Sequence, residues 1–177
     1  MIRIFALGLA LMTGAFAAAP AAALDMRAPF QSIDGGTLSL EQWRGQPVLV
    51  VNTASQCAFT RQYRGLQDLY DRYRAAGLVV LAVPSGDFRQ ELSSNAAVKE
   101  FCELQYGIDM PMTQITRVTG AGAHPFYASL RDETGFEPRW NFNKVLVGPD
   151  GAVRGTFGSQ VAPLSPEITR AVEELLK

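Results

Sequence analysis

Two segments, Val48 to Asn52 and Leu78 to Val83, are apolar without polar alternation, as in strands covered on both faces. Between them Tyr63, Leu66, Tyr70 and Tyr73 recur at helical spacing, which predicts an amphipathic helix over roughly Thr60 to Ala75, ended by Gly77. Strand, helix and strand in this order imply a parallel pair joined by a right-handed crossover, so the fold class is α/β. Ser94 or Asn95 is placed to cap a second helix reaching about Tyr106, with Val98, Phe101 and Cys102 on or near its apolar side. Lys144 to Val147, the turn Gly148-Pro149-Asp150-Gly151, and Ala152 to Phe157 read as an antiparallel hairpin. Ser165 followed by Pro166 opens a last helix whose Ile168, Val172 and Leu175 face inward. Leu24 to Gln46 reads as an entry segment, with turns at Asp34-Gly35-Gly36 and Gly45-Gln46-Pro47. A parallel pair, a hairpin and a closing helix are compatible with a thioredoxin-like central mixed sheet flanked by helices, and with other mixed sheets.

The first residues change the picture of where the chain works. Arg3, a short apolar core from Ile4 to Phe16 and the small residues Ala21-Ala22-Ala23 have the order of a secretory leader, too short to span a bilayer. Cleavage is expected after Ala23, leaving residues 24–177 as one domain in the periplasm or outside the cell; that length suits a single core. The formal net charge of −1 argues against a nucleic-acid role, which requires a basic face.

Chemistry concentrates on the two cysteines, Cys57 and Cys102. Cys57 stands where the first buried strand is expected to run into a helix, near first-turn N–H groups that favour a nucleophilic thiolate. An exported chain with an even cysteine count also permits a permanent Cys57–Cys102 bridge. Cys57, His124 and Asn141 occur in the order of a cysteine-protease triad, but spacing does not bring three side chains together. His124, before Pro125 in a glycine-rich stretch, reads as a loop or helix-entry residue. One histidine and two cysteines offer no metal-ligand spacing, so no metal or other cofactor is expected.

Val50-Val-Asn-Thr-Ala-Ser-Gln-Cys57 resembles the peroxidatic segment of the glutathione peroxidase family. Several further segments resemble it in order: Gln62-Tyr63 with Gly65-Leu66 and Leu69-Tyr70, Phe88 with Gln90-Glu91, Glu100-Phe101-Cys102, His124-Pro125, and Trp140-Asn141-Phe142. The resemblance spans almost all of residues 24–177 and implies a thioredoxin fold and hydroperoxide reduction by a Cys57 thiolate that becomes a sulfenic acid. It implies site roles for Trp140 and Asn141 as hydrogen-bond donors, and for Cys102 as the cysteine that resolves the sulfenic acid into a disulfide. A helix residue must leave its packed position to do so, so local opening around Cys102 is expected. The reductant implied is a thioredoxin-like dithiol protein, or glutathione; the short His124–Trp140 segment implies a monomer. The family's amide-bearing loop is altered here: Pro84 to Glu91 is one residue shorter, and Asp87 falls at the glutamine position. A carboxylate beside a thiolate disfavours the anion by like-charge repulsion, and Gln90 is the nearby amide that can stand in. The non-enzymatic alternative is a thioredoxin-fold redox sensor or binding protein in which Cys57 and Cys102 form a structural or switching disulfide.

Overall fold

The structure is a computed structural model and describes residues 23–177. The expected leader, residues 1–23, lies outside the described residues except for Ala23. The central sheet has the order β4-β3-β5-β6, with β3 Val48–Thr53, β4 Val79–Pro84, β5 Lys144–Val147 and β6 Val153–Phe157. β3 and β4 are parallel, Val50 opposite Leu81, while β5 runs antiparallel to both β3 and β6. The mixed α/β sheet is thus the one expected, with the hairpin added beside the first strand.

Alternation along the central strands explains why they read as continuous apolar runs. Leu49 and Val51 of β3 and Val80 and Ala82 of β4 share one core with Tyr63, Leu66 and Leu69 of α1 (Gln62–Tyr73). The same core takes in Val98 and Cys102 of α2 (Asn95–Tyr106) and Ile168 and Val172 of α4 (Pro166–Leu175). Val48, Val50, Val79, Leu81 and Val83 face the other way, against Phe126, Tyr127 and Leu130 of α3 (Pro125–Thr134) and against Phe30 and Leu40. Each residue of β3 and β4 is therefore buried whichever face it takes.

Several boundaries move. The first helix ends in a short 3-10 turn, Arg74–Ala76, capped by Gly77 at φ 111°, a left-handed conformation that glycine adopts without steric cost. Ser94, rather than Asn95, caps α2, its hydroxyl accepting from the Ala97 N–H. The entry segment forms elements that were not anticipated, a small hairpin, β1 Phe30–Gln31 with β2 Thr37–Leu38, around the expected Asp34-Gly35-Gly36 turn, and a 3-10 turn, Leu40–Trp43; His124 is the helix-entry residue that the sequence allowed, and the extent of α3 beyond it was not read. None of these has the sustained periodicity that makes the other elements legible.

Candidate active site

The site lies at the carboxyl ends of β3 and β4, where three loops meet. Cys57 belongs to the turn after β3 and not to a helix start, since α1 begins only at Gln62. This corrects the expectation that first-turn amides surround the thiol. Thr60 builds the turn: its hydroxyl donates to the Ala54 carbonyl at 2.8 Å and accepts from the Cys57 N–H at 2.9 Å. The turn then points the Phe59 N–H at the Cys57 sulfur, 3.4 Å away. A single backbone donor thus does locally what a helix terminus was expected to do. Cys57 is 8 % exposed, enough to be touched by a small oxidant and too little to be freely solvated.

The second loop follows β4. The Gln56 N–H donates to the Gln90 carbonyl at 2.9 Å, tying this loop to the residue preceding Cys57. Gln90 in turn accepts the Asn141 side-chain amide at 3.0 Å. The amide that meets Asn141 is therefore that of Gln90. Asp87, expected at the family's amide position, sends its Oδ2 elsewhere, accepting from the backbone N–H groups of Val118 at 2.7 Å and Thr119 at 3.0 Å and from the Thr119 hydroxyl. Arg89, between the two, takes φ 59°, and the side chain that follows it, Gln90, is the one that meets Asn141.

The third loop precedes β5. Asn52, at the end of β3, clamps it by donating to the Trp140 carbonyl at 2.9 Å and accepting from the Asn143 N–H at 3.1 Å. Phe142 takes φ 61°, a conformation costly for a bulky residue unless its surroundings fix it. They do: its N–H donates to the Asn52 carbonyl at 2.6 Å, and its ring packs edge-on against Tyr63. Arg89 and Phe142, the two non-glycine residues with positive φ among the described residues, thus directly flank the Gln90–Asn141 pair. Asn141 is fully buried and its Oδ1 has no hydrogen-bond partner among the described residues. Trp140 is 41 % exposed, its ring packed against Phe88 at 5.6 Å between centroids.

Behind these loops Lys144 is wholly buried without a carboxylate. Its ammonium donates to the Gln62 side-chain oxygen and the Val161 carbonyl, both at 2.6 Å, and burial lowers its pKa to about 8. Ser159 adds a strap, donating to the Asn141 carbonyl at 2.7 Å and accepting from the Asn143 and Gln62 amides through its hydroxyl and carbonyl. Sequence reading gave Lys144 no role beyond a strand residue, because a lysine in a hairpin ordinarily points to solvent.

Cys102 is buried in α2, and desolvation pushes its thiol up to about 11. Both cysteines are free thiols in this structure. His124 is not directed at Cys57: it caps α3 through Nδ1, meets the Pro29 carbonyl through Nε2 at 3.1 Å, and stacks on Phe30 at 3.8 Å. With both ring nitrogens committed to backbone, no protease-type triad forms. Among the described residues no cluster of three metal-ligating side chains occurs, and no helix is long and apolar enough to cross a membrane.

Known proteins carry the same architecture. The family model described as glutathione peroxidase matches residues 26–131. A glutathione peroxidase of Lactococcus lactis is 38% identical over 149 residues, covering 81% of this chain and 94% of that protein. The glutathione peroxidase-like peroxiredoxin 2 of Saccharomyces cerevisiae is 36% identical over 148 residues, covering 80% and 90%. The solved structure of T. cruzi GPX1 superposes with a TM-score of 0.63 at 27% identity, covering 84% of this chain and 93% of that one. With a cysteine in the turn after β3, and Trp140 and Asn141 in the turn before β5, the chain belongs to the glutathione peroxidase family and is an oxidoreductase that reduces peroxide.

Proposed function

We propose that the chain is an exported, monomeric thiol peroxidase in which Cys57 is the oxidised residue, Cys102 resolves it, and a thioredoxin-like dithiol protein recycles the enzyme. The observation that carries the reading is the connected set of hydrogen bonds from the Cys57 turn through Gln90 to Asn141. The Cys57 thiolate attacks the terminal peroxide oxygen, the O–O bond breaks, and the departing alkoxide or hydroxide takes a proton as Cys57 becomes a sulfenic acid. The Phe59 N–H stabilises the sulfur anion, and the indole N–H of Trp140 and the Asn141 amide are the donors for the departing oxygen.

Cys102 then displaces the sulfenic oxygen as water and leaves a disulfide. A dithiol protein opens that disulfide by forming a mixed disulfide and resolving it with its own second thiol, whereas glutathione needs two separate encounters. The name of the yeast relative, a peroxiredoxin, fits the dithiol route. Export follows from the leader pattern of residues 1–23, and N-terminal sequencing of protein from a cell fraction tests it, Leu24 being the expected first residue.

The deciding experiment is mass spectrometry of the reduced protein after one equivalent of hydrogen peroxide, which should yield a Cys57–Cys102 disulfide. Cys102→Ser should keep one rapid oxidation of Cys57, lose turnover with the dithiol protein, and over-oxidise under excess peroxide. Equal turnover of variant and parent would remove Cys102 from the cycle.

A further inference from the structure

Lys144 is the one acidic or basic side chain among the described residues that is fully buried. A buried charge without a counter-charge is costly, so its place calls for a reason. Lys144 opens β5, three residues after Asn141, yet its side-chain bonds leave the strand altogether. The amine donates to the side-chain oxygen of Gln62, the first residue of α1, and to the Val161 carbonyl, both at 2.6 Å, short as charge-assisted bonds are. The Gln62 amide in turn donates to the Ser159 carbonyl at 2.7 Å. Ser159 and Val161 belong to the loop between β6 and α4. That loop also has short-range turn bonds, Val161 N–H to the Gly158 carbonyl and Ser165 N–H to the Ala162 carbonyl, which shape it without fastening it to the sheet. The two tethers, one direct and one through Gln62, end on a single amine.

The fastened loop places the Ser159 hydroxyl, which donates to the Asn141 carbonyl at 2.7 Å and accepts from the Asn143 amide at 2.9 Å. Here Asn141 differs from its neighbour. The Trp140 carbonyl accepts from the Asn52 and Asn143 amides, both at 2.9 Å, and Asn52 is part of β3, so the sheet itself holds Trp140. The Asn141 carbonyl is held by the strap. Resting on the reading of Asn141 as a donor to the departing oxygen, we propose that Lys144 is a positioning residue of the peroxidase reaction, holding Asn141 in register through Gln62, residues 159–161 and the Ser159 hydroxyl. Its own hydrogen bonds go to neither Cys57 nor Asn141. An amine suits the task because it must hold two oxygens at once: lysine brings three donors and no acceptor, whereas glutamine would bury an oxygen that has no donor to meet.

The test is the second-order rate of Cys57 oxidation by hydrogen peroxide, followed by stopped flow in Lys144→Met, Asn141→Ala and the double variant. Lys144→Met should slow oxidation ~10-fold, within the ~100-fold that an ångström of misplacement costs. In the Asn141→Ala background the same change should add less than ~2-fold, because no amide is left to misplace and the two effects share one route. Ser159→Ala cuts only the last link; it should reproduce the loss, and it decides the matter if Lys144→Met does not fold. Alkylation of Cys57 by iodoacetamide, read by peptide mass spectrometry, should follow the parent's pH profile in Lys144→Met, since the lysine acts on Asn141 and not on the sulfur. An unaffected Asn141→Ala overturns the reading of Asn141 and this proposal together. With Asn141→Ala slowed, the role of Lys144 alone is overturned by a parental rate in folded Lys144→Met or Ser159→Ala. A further ~10-fold loss in the double variant, or an alkylation profile displaced to higher pH, does the same.

Discussion

At the scale of single residues the site is held by few, specific bonds, and each makes a distinct prediction. Cys57→Ser should abolish peroxide consumption while leaving the melting temperature close to the parent's, since serine keeps the size of the side chain and its hydroxyl is no nucleophile at neutral pH. Asn141→Ala removes the amide that meets Gln90 and should slow Cys57 oxidation by ~10²-fold, as loss of a preorganised donor does elsewhere; stopped-flow kinetics read this directly, and an unchanged second-order rate would place Asn141 outside the chemistry. Asp87→Ala strips the Val118 and Thr119 amides of their acceptor and should cost ~1–3 kcal/mol of stability. A thermal melt indistinguishable from the parent's would show that bond to be idle. Much of this was legible in the sequence, because Cys57, Trp140 and Asn141 sit in recognisable segments. Asp87 and Gln90 were not assignable from it. A loop one residue shorter can shift every side chain along or absorb the change locally, and it is the hydrogen bonds of the folded loop, Asp87 to Val118 and Thr119 and Gln90 to Asn141, that tell the two residues apart.

At the scale of elements the contrast is between a rigid sheet end and a helix that the proposed role of Cys102 requires to yield. β3 supplies Asn52, Thr53 and the Cys57 turn, and it is hydrogen-bonded on both sides by β4 and β5. α2 is tied down by a few apolar residues, Val98 and Cys102 foremost, and by the Ser94 cap. Native-state hydrogen exchange should therefore find the amides of α2 opening at lower free energy than those of β3, and opening further once the disulfide forms. Equal protection of the two elements in the oxidised protein would contradict a mobile Cys102. The elements built on strong periodicity were visible in the sequence, α1 and the two central strands above all. The β1–β2 hairpin and α3 escaped because they are short or weakly amphipathic, and are fixed by tertiary partners such as the stack of His124 on Phe30.

At the scale of the whole molecule the buried Lys144 makes stability depend on pH in a direction that can be worked out. Its folded-state pKa, about 8, lies below its ordinary 10.5, so above pH 8 the unfolded chain binds more protons than the folded one and stability rises with pH. Cys102 acts oppositely between its ordinary 9.0 and its folded value of about 11, where the unfolded chain loses its proton first and stability falls. The interval from pH 8 to 9 isolates the lysine, and denaturant midpoints there should climb in the parent and stay level in Lys144→Met; a level parent would mean that the amine is solvated. The strap that Lys144 and Ser159 form has another consequence, for the order in which the protein is made. Residues 159 and 161 come about a hundred positions after Cys57, yet they anchor Asn141, Asn143 and, directly and through Lys144, the start of α1. A nascent chain carries its Cys57 about a hundred residues before it carries the groups that complete the pocket, so the newborn thiol has no finished site around it until those residues have followed.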